Sequence, residues 1–138
     1  MKKSYVSLLI TLIFLLLCVI CVASCNPTNK VKKNFIGVWD VKQILAEDET
    51  TVVIAFGEIA PLLTMKMSIQ FNENDTFVIH YYVNGEEGEH YPQTGTFTVD
   101  GDTLVMSNGQ IASIKDDKLI VQMEDGSSCR CTRIYQPS

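Results

Sequence analysis

Hydrophobic and polar side chains alternate along most of the second half of this chain. In the clearest run the apolar positions are Met65, Met67, Ile69 and Phe71, and the positions between them are polar. The same period of two recurs over residues 77–83, 94–99 and 119–123. Because successive side chains of a β-strand point to opposite faces, this pattern predicts strands with one buried face.

Turn-forming dipeptides separate these runs at short intervals. Asn84-Gly85, Asn108-Gly109 and Asp125-Gly126 favour the positive backbone angles of tight hairpins, so the strands should form an antiparallel meander. The predicted strands are residues 36–45, 65–72, 75–84, 91–99, 102–107, 110–116, 117–124 and 128–136. Eight strands can close a sheet on itself. The predicted fold class is therefore an all-β, eight-stranded antiparallel up-and-down barrel.

The segment from Glu47 to Thr64 departs from this rhythm. Its apolar residues at positions 52, 56, 59 and 63 fit a helical stripe. Against a helix, residues 50–54 are β-branched and Pro61 would interrupt a helix interior. We expect one short helix or lid here, between the first two strands of the barrel and over one of its mouths.

The amino terminus has the composition of an export signal. Lys2 and Lys3 precede a stretch of 18 uncharged residues from Val6 to Ala23, and basic head, apolar middle and small residues form the usual order. The following Val22-Ala23-Ser24-Cys25 resembles a bacterial lipobox, which implies cleavage before Cys25 and acylation of its thiol. The alternative is an uncleaved anchor, because the stretch is close to the minimum length of a membrane-spanning helix.

These features predict three parts of the chain: a lipoprotein signal peptide at 1–24, a lipidated tether at 25–33 and the barrel domain at 34–138. Two or three acyl chains would hold the protein firmly on a membrane, since each buried methylene contributes about 0.8 kcal/mol. Asn26 follows the cysteine, in place of the aspartate that favours inner-membrane retention in enterobacterial lipoproteins. The predicted location is the cell envelope, at the outer membrane and facing the periplasm.

Charge and cysteine content narrow the functional classes. Removing residues 1–24 takes away two lysines and no acid, which leaves nine basic against sixteen acidic residues and a net charge of about −7. An acidic surface argues against nucleic acid as a partner. Only Cys129 and Cys131 then remain as cysteines of the barrel domain. Because they are two residues apart on a predicted strand, they point to the same face, and we expect two thiols in the core. A strained disulfide between them is the alternative.

Motifs on the first and last predicted strands form a further pattern. The first strand begins with Gly37-Val38-Trp39, and the last contains Arg133. A Gly-x-Trp paired with a late arginine resembles the calycin signature. Residues 94–104 and 115–119 are similar to the lipocalin-like domains of secreted bacterial lipoproteins. The resemblance implies that Arg133 stacks on Trp39 across the base of the barrel, as a structural pair worth about 0.5–2 kcal/mol.

The sequence contains no convincing catalytic constellation. His80, Glu89 and His90 would need two strands to converge before they could hold a metal, and a solvated acidic hairpin is the simpler interpretation. The Asp-rich turns lack the spacing of a calcium loop. The prediction is a non-enzymatic protein with no cofactor and no metal.

Two functions remain open. In the first, the barrel binds a small hydrophobic ligand, since methionine and aromatic side chains suit an adaptable pocket. The candidate lining residues are Met65, Met67, Phe71, Phe77, Tyr81 and Phe97. In the second, the barrel is filled and serves as a protein-binding or structural module of the envelope. Its candidate contacts are Tyr82, Tyr91 and the hairpin Glu86–His90.

Overall fold

Two short helices and a set of short strands make up the structure, a computed structural model that describes residues 5–15, 26–60 and 63–137. Residues 5–15 form helix α1, and α2 is Pro27–Phe35. The strands are β1 Gly37–Leu45, β2 Val52–Ala55, β3 Gly57–Ala60, β4 Leu63–Phe71, β5 Thr76–Val83, β6 Glu86–Glu87, β7 Gln93–Asp100, β8 Thr103–Met106, β9 Ile111–Lys115, β10 Lys118–Gln122 and β11 Ser128–Tyr135. The chain divides into two compact units, Met1–Lys30 and Val31–Ser138.

Within the described residues, eight strands form a closed antiparallel barrel, as the sequence predicts. Neighbouring strands pair in the order β1, β11, β10, β9, β8, β7, β5, β4. Residues 37–40 of β1 then pair with residues 68–71 of β4 and close the ring. These eight strands correspond one by one to the eight predicted from alternation and turn chemistry. The predicted hairpin turns at Asn84-Gly85, Asn108-Gly109 and Asp125-Gly126 are present as well.

The expected helix between the first two barrel strands is wrong for the part of that segment that is described. Residues 52–55 form β2 on β1, and residues 57–60 form β3 on β4. The β-branched run at 50–54 favours extended backbone over helix, and β1 and β4 each offer a free edge beyond their short shared ladder. The segment therefore adds two short strands to the sheet at one end of the barrel, with Phe56 between them.

A helix lies instead in the segment predicted as a tether. Asn26 caps the start of α2, because its side-chain oxygen accepts the backbone N–H of Thr28 at 3.1 Å. Pro27 occupies the first helical position, where a missing N–H costs nothing. Val31 and Phe35, one turn apart, pack against the hydrophobic core. The last turn of α2 thus belongs to the packed unit of the barrel.

Large buried aromatic side chains fill the half of the barrel next to the last turn of α2. Trp39 is fully buried there, and the ring of Phe71 makes edge-on contacts with Phe35 and Phe97 at centroid distances of 6.2 and 5.4 Å. From Phe71 back along β4 toward its start, Ile69 is buried but Met67 and Met65 are only half-buried. Along β4 and β5, burial therefore decreases from the end of the barrel next to α2, here called the closed end, to the other end, the open end.

Most of the predicted export signal lies outside the described residues. The lipobox at residues 22–25, including Cys25, lies outside the described residues, so its acylation stays a prediction. In the portions of the chain that are described, no helix is long and apolar enough to cross a membrane.

Candidate functional site

Trp39 and Arg133 seal the closed end of the barrel. They are directly paired across β1 and β11, and the guanidinium carbon of Arg133 lies 4.2 Å from the centroid of the indole. The guanidinium donates to the carbonyl oxygens of Asn34 and Ile36, and the indole N–H donates to the carbonyl of Phe35 at 2.9 Å. This is the geometry that the calycin resemblance implies. It ties the first strand, the last strand and the end of α2 together.

Partial burial shifts the pKa of Arg133 at this end of the barrel. Desolvation lowers the pKa of the Arg133 guanidinium from its ordinary value, and the nearby carboxylate of Asp117 opposes that shift. Arginine stays protonated through the physiological range even so. A permanent cation therefore lies over the only tryptophan of the chain.

The open end has an inner wall of half-buried apolar side chains. Met65, Met67 and Tyr81 come from β4 and β5, and they follow the buried Ile69 and Ile79 toward the mouth. Four other partly buried residues pack against the core at this end: Ile44, Phe56, Tyr91 and Met123. Three of the seven are methionines, whose unbranched side chains adapt to differently shaped contacts.

Two tyrosines give this apolar wall a polar element. The ring of Tyr81 lies 5.4 Å from that of Tyr91 and 6.4 Å from that of Phe56, measured between centroids. The hydroxyl of Tyr81 donates to the sulfur of Met65 at 3.4 Å, a weak acceptor. Burial raises the pKa of Tyr91, and the neighbouring Tyr81 and Cys129 raise it further. Tyr91 therefore remains a neutral hydrogen-bonding group at all physiological pH values.

A small cavity adjoins this wall at the seam between β1 and β4. Its volume is about 150 Å³, and its lining combines the apolar Val41, Phe56 and Met65 with the charged Asp40, Lys42 and Lys66. Ligand pockets usually measure about 300–1,000 Å³. A ligand of that size would therefore have to displace the flexible methionines or Phe56 to enter the barrel.

The two late cysteines are free thiols on the inner face of β11. Both are buried, and they pair across the ladders with Val41 and Ile44 of β1 and with Leu119 and Val121 of β10. Burial raises the pKa of Cys129 to about 12 and that of Cys131 still higher. Protonated thiols in an apolar setting behave as small hydrophobic side chains. This agrees with their prediction as core residues.

The six predicted ligand-lining residues separate into two groups. Phe71, Phe77 and Phe97 are buried members of the core near the closed end. Met65, Met67 and Tyr81 are half-buried at the open end. Alternation along a strand marks all six as inward-facing, but it does not report how far along the barrel each one lies. Sequence reasoning missed Phe56, which it placed in a helical stripe, and the inward position of Tyr91.

The acidic hairpin after β5 forms local contacts only. The Nδ1 atom of His80 lies 2.7 Å from a carboxylate oxygen of Glu87, and its ring stacks on Tyr82 at 5.9 Å. Glu89 and His90 are exposed, and no metal-ligating cluster occurs among the residues described. Tyr82 is half-buried on the outer side of β5. Tyr91, proposed from sequence as a surface contact, packs instead against the core at the open end.

A comparison with family models adds an independent observation. The model of the lipocalin-like domain matches residues 35–128, more than half of the chain. The chain belongs to the lipocalin-like domain family. The match covers the barrel from the end of α2 to the first residue of β11. The comparison with curated proteins and the comparison with solved structures each found no match. The lipocalin-like domain is generally a non-enzymatic binding fold.

Proposed function

We propose that this lipocalin-like protein is a lipid-anchored envelope lipoprotein whose barrel binds a small apolar ligand at its open end, without chemical conversion. The observation that carries the proposal is the contrast between the two ends. The closed end is sealed by Trp39 and Arg133, whereas the inner wall at the open end leaves Met65, Met67 and Tyr81 half-buried. Half-buried apolar surface on an inner wall gains free energy when a ligand covers it, about 25 cal/mol per Å².

The composition of the open end suggests the kind of ligand. Its wall is apolar apart from the hydroxyls of Tyr81 and Tyr91, and Tyr91 stays neutral because its pKa is raised. Such a wall suits a molecule that is mostly hydrocarbon or aromatic, with at most one neutral polar group. An ionised head would have to remain in water at the mouth, since burying an unpaired charge is costly.

The anchor is the second part of the proposal. It is supported by the lipobox Val22–Cys25 and by the uncharged stretch before it. Attachment at the outer membrane, facing the periplasm, would place the barrel where apolar compounds cross the envelope. The lipocalin-like family match supports the binding role and does not bear on the anchor.

A fluorescent apolar probe tests the binding site directly. Nile red should bind the purified full-length chain saturably and lose its bound fluorescence in Met67→Glu, because the variant places a charge on the inner wall. The control is Ser68→Glu, which adds the same charge at the next position of β4, on its outer face. If wild type does not bind Nile red, or if both variants bind it equally well, the open end is not the site.

One observation favours the second candidate, a protein-binding module. Strand β2 pairs only with β1 among the described residues, and its Val52 and Val53 are 46% and 60% exposed. An exposed apolar edge strand can accept a strand from a partner. A charged substitution, Val53→Lys, would abolish such an interaction and leave Nile red binding unchanged. Loss of Nile red binding in this variant would show that the β2 edge and the apolar site at the open end are not separate surfaces.

A further inference from the structure

A second cavity lies at the closed end of the barrel, at the opposite end from the proposed apolar site. This closed-end cleft has a volume of about 680 Å³, which is within the usual range of small-molecule sites. Residues of α2, of two hairpin turns and of strands β1, β9 and β11 border it. Its polar and charged lining residues are Asn34, Asp102, Ser113, Asp117, Arg133 and Gln136.

Arg133 contributes the positive charge of the closed-end cleft. One face of its guanidinium covers Trp39, and two of its nitrogens donate to the carbonyls of Asn34 and Ile36. A guanidinium carries five N–H donors. The structural contacts therefore leave donors of a fixed, partly desolvated cation available at the cleft, where a carboxylate or phosphate would make its strongest hydrogen bonds.

Asp102 and Asp117 contribute two negative charges from separate turns. Asp102 lies in the turn between β7 and β8, and Asp117 in the turn between β9 and β10. Neither forms an ion pair with a residue in the described part of the chain. The carboxylate of Asp117 is near enough to Arg133 to raise the pKa of its guanidinium, yet the two do not make a salt bridge. Opposite charges therefore line the same cleft without forming a salt bridge among the described residues.

We propose that the closed-end cleft binds a small zwitterion, with its anionic oxygens on Arg133 and its ammonium group at Asp102 and Asp117. A zwitterion can pair with both signs of charge at once, whereas a simple anion leaves the two carboxylates unpaired and a simple cation leaves the guanidinium unpaired. A neutral sugar lacks its usual aromatic platform, because the indole of Trp39 is fully buried beneath the guanidinium. Phosphoethanolamine and free α-amino acids both carry the required pair of charges.

Trp39 makes this proposal measurable. It is the single tryptophan of the chain and borders the cleft, so its emission reports on occupancy there. Titration of the full chain with O-phosphoethanolamine and with alanine should give a saturable change for at least one of them. A response to the first alone identifies a phospholipid-type headgroup, and a response to the second alone an amino acid. Inorganic phosphate and ethanolamine should each bind about tenfold more weakly than the zwitterion.

A matched pair of variants locates the binding. Asp117→Asn should weaken zwitterion binding about tenfold, measured by calorimetry on the same samples. Asp116→Asn is the control, since it removes the same charge from the adjacent position, which does not line the cleft. Both residues have positive φ angles, 52° and 60°, which asparagine tolerates well. Neither variant should therefore disturb the turn.

Three results would overturn the zwitterion site: no saturable change with either zwitterion, phosphate or ethanolamine binding as tight as that of the zwitterion, or equal affinities of the two turn variants. The tests of the zwitterion site and of the apolar site can fail independently of each other. Met67→Glu should leave zwitterion binding unchanged, and Asp117→Asn should leave Nile red binding unchanged.

Discussion

Arg133 and Trp39 are cross-strand partners of β11 and β1, and the guanidinium carbon lies 4.2 Å from the centre of the indole. The pair connects the first strand of the barrel to the last one. It also holds the last carbonyls of α2 and the residue that follows them. One contact therefore seals the barrel, orients the helix and forms the floor of the closed-end cleft.

Replacing Arg133 by lysine should destabilise the protein by about 1–3 kcal/mol. Lysine keeps the charge but loses the planar stack and the paired hydrogen bonds to two backbone carbonyls. Urea denaturation followed by far-UV circular dichroism measures the change. Arg130→Lys, at an exposed position of the same strand, is the control and should stay within about 0.5 kcal/mol of wild type. Equal stabilities of the two variants would show that the stack contributes nothing.

Gly37 is required by a close approach of two strands. Its φ is 132°, and a Cβ at this position would lie 2.1 Å from the carbonyl oxygen of Tyr135. Gly37→Ala should therefore separate β1 from β11 and cost more than the roughly 1–3 kcal/mol of backbone strain alone. Gly57→Ala is the matched control, since its φ of 121° is similar but its Cβ would meet nothing within 4 Å. A thermal melt that moves both variants equally would refute the close-approach argument.

The buried thiols predict a loss of stability at alkaline pH. The pKa of Cys129 is raised to about 12, whereas an unfolded cysteine titrates near 8.5. Above about pH 8.5 the unfolded state loses a proton that the folded state keeps, so folding stability is complete below that pH and falls as pH rises toward 12. Each affected thiol contributes a slope of about 1.4 kcal/mol per pH unit in this window.

The comparison that isolates this effect is the pH dependence of stability in Cys129→Ala/Cys131→Ala. The double variant should be less stable at neutral pH, because it leaves small cavities, but its stability should fall less steeply between pH 8.5 and 10.5. Lysine and tyrosine titrations are common to both proteins and cancel in the difference. Parallel curves would mean that the thiols are not desolvated in the folded state.

The lipid anchor predicts a change of location on substitution of Cys25. Cys25→Ser removes the acylated thiol, so the protein should move from the membrane fraction to the soluble periplasmic fraction after export. Cys21→Ser is the control and should stay with the membrane, since Cys21 follows Ile20 and fits the lipobox poorly. Retention of Cys25→Ser on the membrane would support an uncleaved anchor instead.

The barrel was predictable because alternation is a strong local signal. The run from Met65 to Phe71 fixes the inner face of β4, and the Asn-Gly and Asp-Gly turns fix where strands reverse. The segment with Phe56 was mispredicted because apolar residues at positions 52, 56, 59 and 63 mimic a helical period. Pairing with the free edges of β1 and β4 outweighs that period.

Helix α2 was missed although its signals were present. Asn26 and Pro27 are good starting residues for a helix, and Val31 and Phe35 have the spacing of one apolar stripe. Three lysines in this segment favoured the interpretation as a solvated tether. The candidate sites were harder to predict. Met67 and Phe71 both point inward on β4, and alternation alone does not show that Met67 lies nearer the open end. The closed-end cleft depends on turns that are distant in sequence.

Native mass spectrometry of the gene product, purified from its own host, reports both its lipid anchor and any bound ligand. We expect a chain that begins at Cys25, carries two or three acyl groups and retains a lipid-sized apolar molecule that Met67→Glu fails to retain. An empty barrel in wild type, with a protein co-purifying in its place, would contradict the ligand-binding account.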